Sequence, residues 1–234
     1  MVGLRRLALA LTVLLAGCGP SGSDGAAVEP TPEPTAVALV GRLTGYPDFA
    51  AVPKTLPLGL HREPADDAPV EWLSHGEHET PRTLLIRTEK PSTPDDEGWF
   101  EVLPPTDDVT TRWVRADDVT VVGLPYRLVV DVRRYRLDVY EGDDLIRAVT
   151  IGVSADANAT PPGLHFVTEL VRPLEPDPTY GPYLFGLSGG AAGLHGGEAD
   201  LGQTSGRGGI RMRNDDIEYL AGLLPLGTPV EIIS

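Results

Sequence analysis

Along most of the chain apolar residues alternate with polar ones in short runs, the two-residue period of half-buried strands. In residues 37–123 the clearest runs are "TLLIRTE", "GWFEVLP" and "TRWVRADDVTVV", rich in Val, Ile, Leu, Trp and Thr and separated by proline-rich loops. Prolines at 53, 57, 64, 69, 81, 91, 94, 104 and 105 exclude long helices there. The pattern predicts a small β-barrel or sandwich. From residue 124 a second β-rich unit is expected. "YRLVVDV" alternates, and "YRLDVYEGDDLIRAVTIGV" reads as a hairpin turning at Glu-Gly-Asp-Asp, residues 141–144. "TPPGLHFVTELV" sets a Pro-Pro-Gly turn before another strand, and "GPYLFGLS" adds a short apolar run. Only "NDDIEYLAGLL" has a helical period, with Ile217, Leu220, Ala221 and Leu224 on one face. Asn214 or Asp215 is the expected cap, Asp215 and Glu218 have capping-box spacing, and Pro225 ends the helix before a final strand in "GTPVEII".

The first 36 residues break this pattern. "MVGLRR" is basic, "LALALTVLLAG" is an apolar run too short to span a bilayer, and Leu15-Ala16-Gly17-Cys18 follows. That tetrapeptide resembles the lipobox of bacterial lipoproteins. The resemblance implies that residues 1–18 are a signal peptide and lipobox, and that Cys18 is lipidated and becomes the new N-terminus. The chain would then be extracytoplasmic, anchored to the membrane by lipid and facing the cell wall. Cys18 is the sole cysteine, so no intramolecular disulfide is possible. Residues 19–36, "GPSGSDGAAVEPTPEPTA", carry no hydrophobic period and are expected to be a disordered tether.

Charge narrows the partners. The formal net charge is −15, and about −17 once Arg5 and Arg6 are removed (−15 minus 2). Such a surface repels phosphate backbones, so nucleic acid is excluded as a partner. His75 and His78 with Glu77 and Glu79 fit no zinc spacing, and "SGRGG" lacks the lysine of a phosphate loop. No metal and no cofactor is called for.

Two resemblances add to this reading. "WFEVLPPTDDVTTRWVRADDV" is similar to a bacterial SH3-like segment, which makes 37–123 an SH3-like β domain. Residues 124–234 resemble the L,D-transpeptidase catalytic domain family through five pieces in order. They are the opening hairpin, "TPPGLHFVTEL", "YGPYLFGLSG", "GLHGGEADLGQ" and "GGIRMRNDDIEYLAGLLPLGTPVEI". The implied fold is a β-sandwich with one short helix. The family motif is Ser-His-Gly-Cys followed by Ile-Arg-Met-x-Asn. Counting back without a gap from Ile210, Arg211, Met212 and Asn214 puts Gly209 at the cysteine, Gly208 at the glycine, Arg207 at the second histidine and Gly206 at the serine. His195 keeps the family's first histidine.

The family reaction implies a thiolate, activated by histidine, that attacks a peptide carbonyl of a peptidoglycan stem. Glycine supplies no attacking atom. The expectation is a catalytically inactive frame that binds peptidoglycan stem peptides or a cell-wall protein. Gly208, Arg211, Asn214 and Tyr183 are the candidate binding residues; Tyr180 and Tyr183 are the tyrosines that could line the cleft, with core packing as the competing reading. A buried ion pair of Arg211 with Asp215 or Asp216 is the competing reading for that arginine. Two other functions stay open: an active transpeptidase with a nucleophile relocated to Ser205, and a purely structural or interaction protein.

Overall fold

The structure is a computed structural model. It describes residues 48–76, 81–87, 95, 97–156, 159–173, 179–190, 193–205 and 208–234. The described residues belong to one compact unit that is mainly β, with a single α-helix among them.

The first sheet has seven strands: β1 (Asp48–Pro53), β2 (Leu58–His61), β3 (Val70–Leu73), β4 (Leu84–Ile86), β5 (Trp99–Leu103), β6 (Arg112–Arg115) and β7 (Val119–Leu124). Their spatial order is β3-β2-β6-β5-β4-β1-β7. The long run expected in "TRWVRADDVTVV" is broken by a one-turn 3-10 helix at Ala116–Asp118, whose two aspartates are exposed. Alternation then does what the pattern requires: Leu58, Leu60, Phe100, Val102 and Val114 turn to one side and form a buried cluster.

The second sheet has ten strands: β8 (Tyr126–Asp131), β9 (Arg136–Glu141), β10 (Asp144–Thr150), β11 (Gly152–Ser154), β12 (Gly163–Val171), β13 (Leu184–Leu187), β14 (Leu194–Gly196), β15 (Thr204–Ser205), β16 (Ile210–Met212) and β17 (Pro229–Ile233). The order is β10-β9-β8-β17-β12-β13-β14-β16-β11-β15. β9 and β10 form the expected hairpin, with Asp144 opposite Glu141 and Gly142 at φ +57°. A positive φ at the first central residue suits the twist of the flanking strands. A larger core, from Leu128 through Phe185, Leu194 and Ile210 to Ile232, lies against this sheet.

The helix α1 (Asn214–Leu223) packs Ile217 and Leu220 into that core. Its cap differs from expectation. The capping residue is Arg213, with no side-chain bond to the helix, and neither Asn214 nor Asp215 caps it. Instead the Asn214 N–H donates to Glu198 Oε1 at 3.0 Å, so a carboxylate from a distant loop satisfies an end group that the local sequence leaves open.

The two sheets are joined by a third small core. Ala50, Leu85, Leu103 and Leu124 of the first sheet pack with Phe166 of the second, which is 0% exposed. The β5–β6 connection also reaches across: Gly189 N–H donates to Thr106 O at 2.8 Å. That bond holds the loop that leads from β13 into β14.

Candidate functional site

His195 stands on β14, in register with Arg211 of the parallel neighbour β16. Arg211 in turn faces Gly152 of antiparallel β11. Three short strands thus place the retained histidine and the Ile-Arg-Met segment side by side. Glycines at positive φ bound two of them, Gly197 directly after β14 and Gly209 directly before β16.

The His195 ring is 2% exposed, and both of its nitrogens face main-chain carbonyls. Nδ1 lies 2.8 Å from Gly196 O, and Nε2 lies 3.1 Å from Gly208 O. Only an imidazolium donates through both nitrogens. Burial opposes that charge and pushes the His195 pKa below its usual range. The two carbonyls pull the other way, and nearby Arg211 adds to the lowering. The favoured neutral ring donates to one carbonyl and leaves the other without a proton.

Gly209 is buried, with φ +92°. A Cβ built on it would lie 3.0 Å from His195 Cδ2 and 3.2 Å from Nε2, so the position points at the imidazole. The same Cβ would lie 2.8 Å from Gly193 O, a carbonyl that already accepts from the Ile210 N–H. The position that faces the histidine is therefore both without a side chain and closed to one by backbone. Gly208 is exposed, with open space around its Cα, and its carbonyl takes the imidazole nitrogen that an attacking group at 209 would need.

Arg211 is 3% exposed and is committed to the loop that follows His195. Its Nη1 donates to Ala199 O at 3.1 Å and to Asp200 Oδ2 at 3.3 Å. Asp200, at φ +58°, also accepts from Gln203 Nε2 at 3.1 Å. The ion partner is thus Asp200, not Asp215 or Asp216. Asp216 pairs with Arg147 at 2.5 Å, beneath the cation–π contact of Arg147 with Tyr219.

Asn214 points its side chain inward. A Cβ at Gly181 or at Gly196 would meet Asn214 Oδ1 at 2.5 or 2.6 Å, and that oxygen is buried without a partner. Two glycines make room for it. The aromatic residue over His195 is Tyr180, edge-on with ring centroids 5.2 Å apart. Tyr183, the residue singled out from sequence, packs against the core, with Arg172 5.8 Å from its ring.

The structure therefore brings together His195, Gly208, Gly209, Arg211 and Asn214, and adds Tyr180, Glu198 and Asp200. Glu198 and Asp200 had one signal, an acidic pair within five residues of His195. Tyr180 is a cleft-lining candidate together with Tyr183, and of the two it is Tyr180 that meets His195. Arg207, Gly206, Cys18 and His78 with its flanking glutamates lie outside the described residues.

Residues 125–232 match the model of the YkuD family, the L,D-transpeptidase catalytic domain. The YkuD protein of Bacillus licheniformis is 34% identical over 111 residues, 47% of this chain and 66% of its own. The YkuD protein of Bacillus subtilis is 30% identical over the same span. The chain covers just under two thirds of the length of these relatives. Among solved structures, an L,D-transpeptidase from Mycobacterium smegmatis aligns at 14% identity and TM-score 0.45, covering 66% of this chain and 89% of that one.

Proposed function

We propose that this is a cell-wall lipoprotein whose L,D-transpeptidase-type domain binds peptidoglycan stem peptides without catalysing their exchange. The observation that carries the reading is Gly209. It occupies the position that faces His195, offers no nucleophile, and has Gly193 O where a side chain would begin. Anchoring through lipid on Cys18 would hold the domain at the outer membrane face, turned toward the wall.

A relocated oxygen nucleophile is the alternative, and the sheet order speaks against it. Ser205 on β15 pairs with Ser154 of β11. β11 pairs with β16, and β16 with β14. Three strand spacings of about 4.8 Å put Ser205 roughly 14 Å from the His195 strand. Thr204 Oγ1 is engaged with Tyr135 OH at 3.1 Å. An oxygen nucleophile needs its base within hydrogen-bond reach.

Co-sedimentation with purified peptidoglycan tests the binding claim. The protein is expected in the pellet, and quantitative recovery in the supernatant would sink it. Ser205→Ala is expected to leave any measured cross-link formation unchanged.

A further inference from the structure

The first sheet carries a face that the site above does not use. The chain has three tryptophans, Trp72, Trp99 and Trp113. Register places all three on the side away from the sheet's own core. Trp72 is opposite Gly59, His61 is opposite Trp113, and Trp99 is opposite Arg115. Side chains two residues apart share a face, which links the three pairs.

Two of these indoles are already covered to some degree. Trp99 is 1% exposed, with His61 edge-on at 4.8 Å and the Arg115 guanidinium 4.3 Å above it. Arg115 is held there by Asp66, so its charge is neutralised. Trp113 is half-buried. Trp72 is 68% exposed, the most exposed large apolar side chain among the described residues. A Cβ at Gly59 would be 3.7 Å from Trp72 Cζ3 and 3.3 Å from His61 Nε2. The glycine leaves a flat floor under the indole edge, with an imidazole nitrogen beside it.

We infer that Trp72 is a stacking platform for a sugar ring of the cell-wall glycan, with His61 as the adjacent polar contact. The inference rests on the cell-wall reading above and assigns the glycan to the first sheet. The size of the patch selects the occupant. A stable protein partner needs about 800 Å² on each side. Here one indole stands mostly in solvent, because Arg115 and His61 cover Trp99 and Trp113 is half-buried. One flat apolar face rimmed by hydrogen-bonding groups matches a pyranose, which has an apolar C–H face and a polar edge. Charge agrees. The Arg115–Asp66 pair is neutral, and Glu101 on the same face accepts from the Thr111 hydroxyl; an uncharged glycan is not repelled by a molecule of net charge −15.

The test is titration of the full chain with chitotetraose, a peptide-free N-acetylglucosamine oligomer, followed by tryptophan fluorescence. Wild type is expected to bind with a fluorescence shift. Trp72→Ala should weaken binding about tenfold or more, and Trp72→Phe less, since it keeps a ring. Far-UV circular dichroism of both variants confirms folding, which an exposed position should not disturb. Equal binding by wild type and Trp72→Ala would overturn the inference. So would a change in oligomeric mass in Trp72→Ala, which would make the face a protein contact. A wild-type chain that sediments with whole peptidoglycan but ignores chitotetraose would overturn the glycan assignment alone. Wild type that binds both ligands, with a Trp72→Ala variant that loses chitotetraose and whole peptidoglycan together, would overturn the stem-peptide reading alone.

Discussion

Gly209 points its missing side chain at His195: a Cβ there would sit 3.2 Å from the imidazole Nε2. The two positions face each other in the fold, and the glycine brings no side-chain atom to the imidazole. Gly193 O fills the approach to Gly209, and Gly208 O faces the nitrogen that would activate a nucleophile. The local backbone at position 209 suits glycine.

Restoring the cysteine alone should therefore fail. Gly209→Cys places a Cβ 2.8 Å from a main-chain oxygen at φ +92°. A side chain held in such a conformation costs about 1–3 kcal/mol. Urea denaturation should show a lower midpoint for the variant, and assays should find no transpeptidation. Wild-type stability together with recovered turnover would show that the loop accommodates the residue freely.

His195 should make stability fall in mild acid. Its folded-state pKa is lowered, chiefly by burial, so the unfolded chain binds its proton first as pH drops. Its contribution is fully present above the unfolded value of 6.5 and is lost as pH falls from there through the lower folded value. Thermal melts from pH 8 to pH 5 should show the midpoint declining below about 6.5. His195→Gln, which cannot titrate, should flatten that part of the curve. An unchanged pH profile in the variant would place the titration elsewhere.

Arg211 is an organiser of the loop after His195, and its replacement confounds binding with stability. Arg211→Ala takes the Nη1 donor from Ala199 O and from Asp200 Oδ2, and leaves the Asp200 carboxylate with Gln203 on Oδ1. Loss of such charge-assisted bonds costs about 1–3 kcal/mol. The measurement is again the urea midpoint, with Arg211→Lys as the conservative control expected in between. An Arg211→Ala variant as stable as wild type would mean that Asp200 is held by Gln203 and backbone alone.

Phe166 links the two sheets. Phe166→Ala empties the centre of the shared core of Ala50, Leu85, Leu103 and Leu124, at a cost of about 3–5 kcal/mol. Calorimetry should show one cooperative transition for wild type and a marked loss in the variant. Two separate transitions in wild type would show that the sheets fold independently despite the shared core.

The sequence made the strands readable wherever alternation met a turn signal, as in the β9–β10 hairpin with Gly142. It made the helix readable through Ile217 and Leu220. The site was legible where a family motif fixed spacing, which is why His195, Gly209 and Asn214 come together. What stayed hidden depends on distant partners. The helix end is satisfied by Glu198 rather than by Asn214 or Asp215. Arg211 chooses Asp200 because a positive-φ turn carries that carboxylate under it, and no local pattern encodes the turn. Both tyrosines were cleft candidates, and which of them meets His195 was not legible: it is Tyr180, with Gly181 at φ +68° turning the chain between the two. The break at Ala116–Asp118 interrupts a run whose apolar period alone reads as one strand.

The most direct measurement of catalytic silence is intact-mass spectrometry after incubation with a carbapenem, the class of compound that acylates the cysteine of this family. A Cys18→Ser chain is used, so that no thiol remains. The expected result is a single unmodified mass at all incubation times. A stoichiometric covalent adduct mapping to residues 193–212 would contradict it, because some residue of that frame would then be nucleophilic.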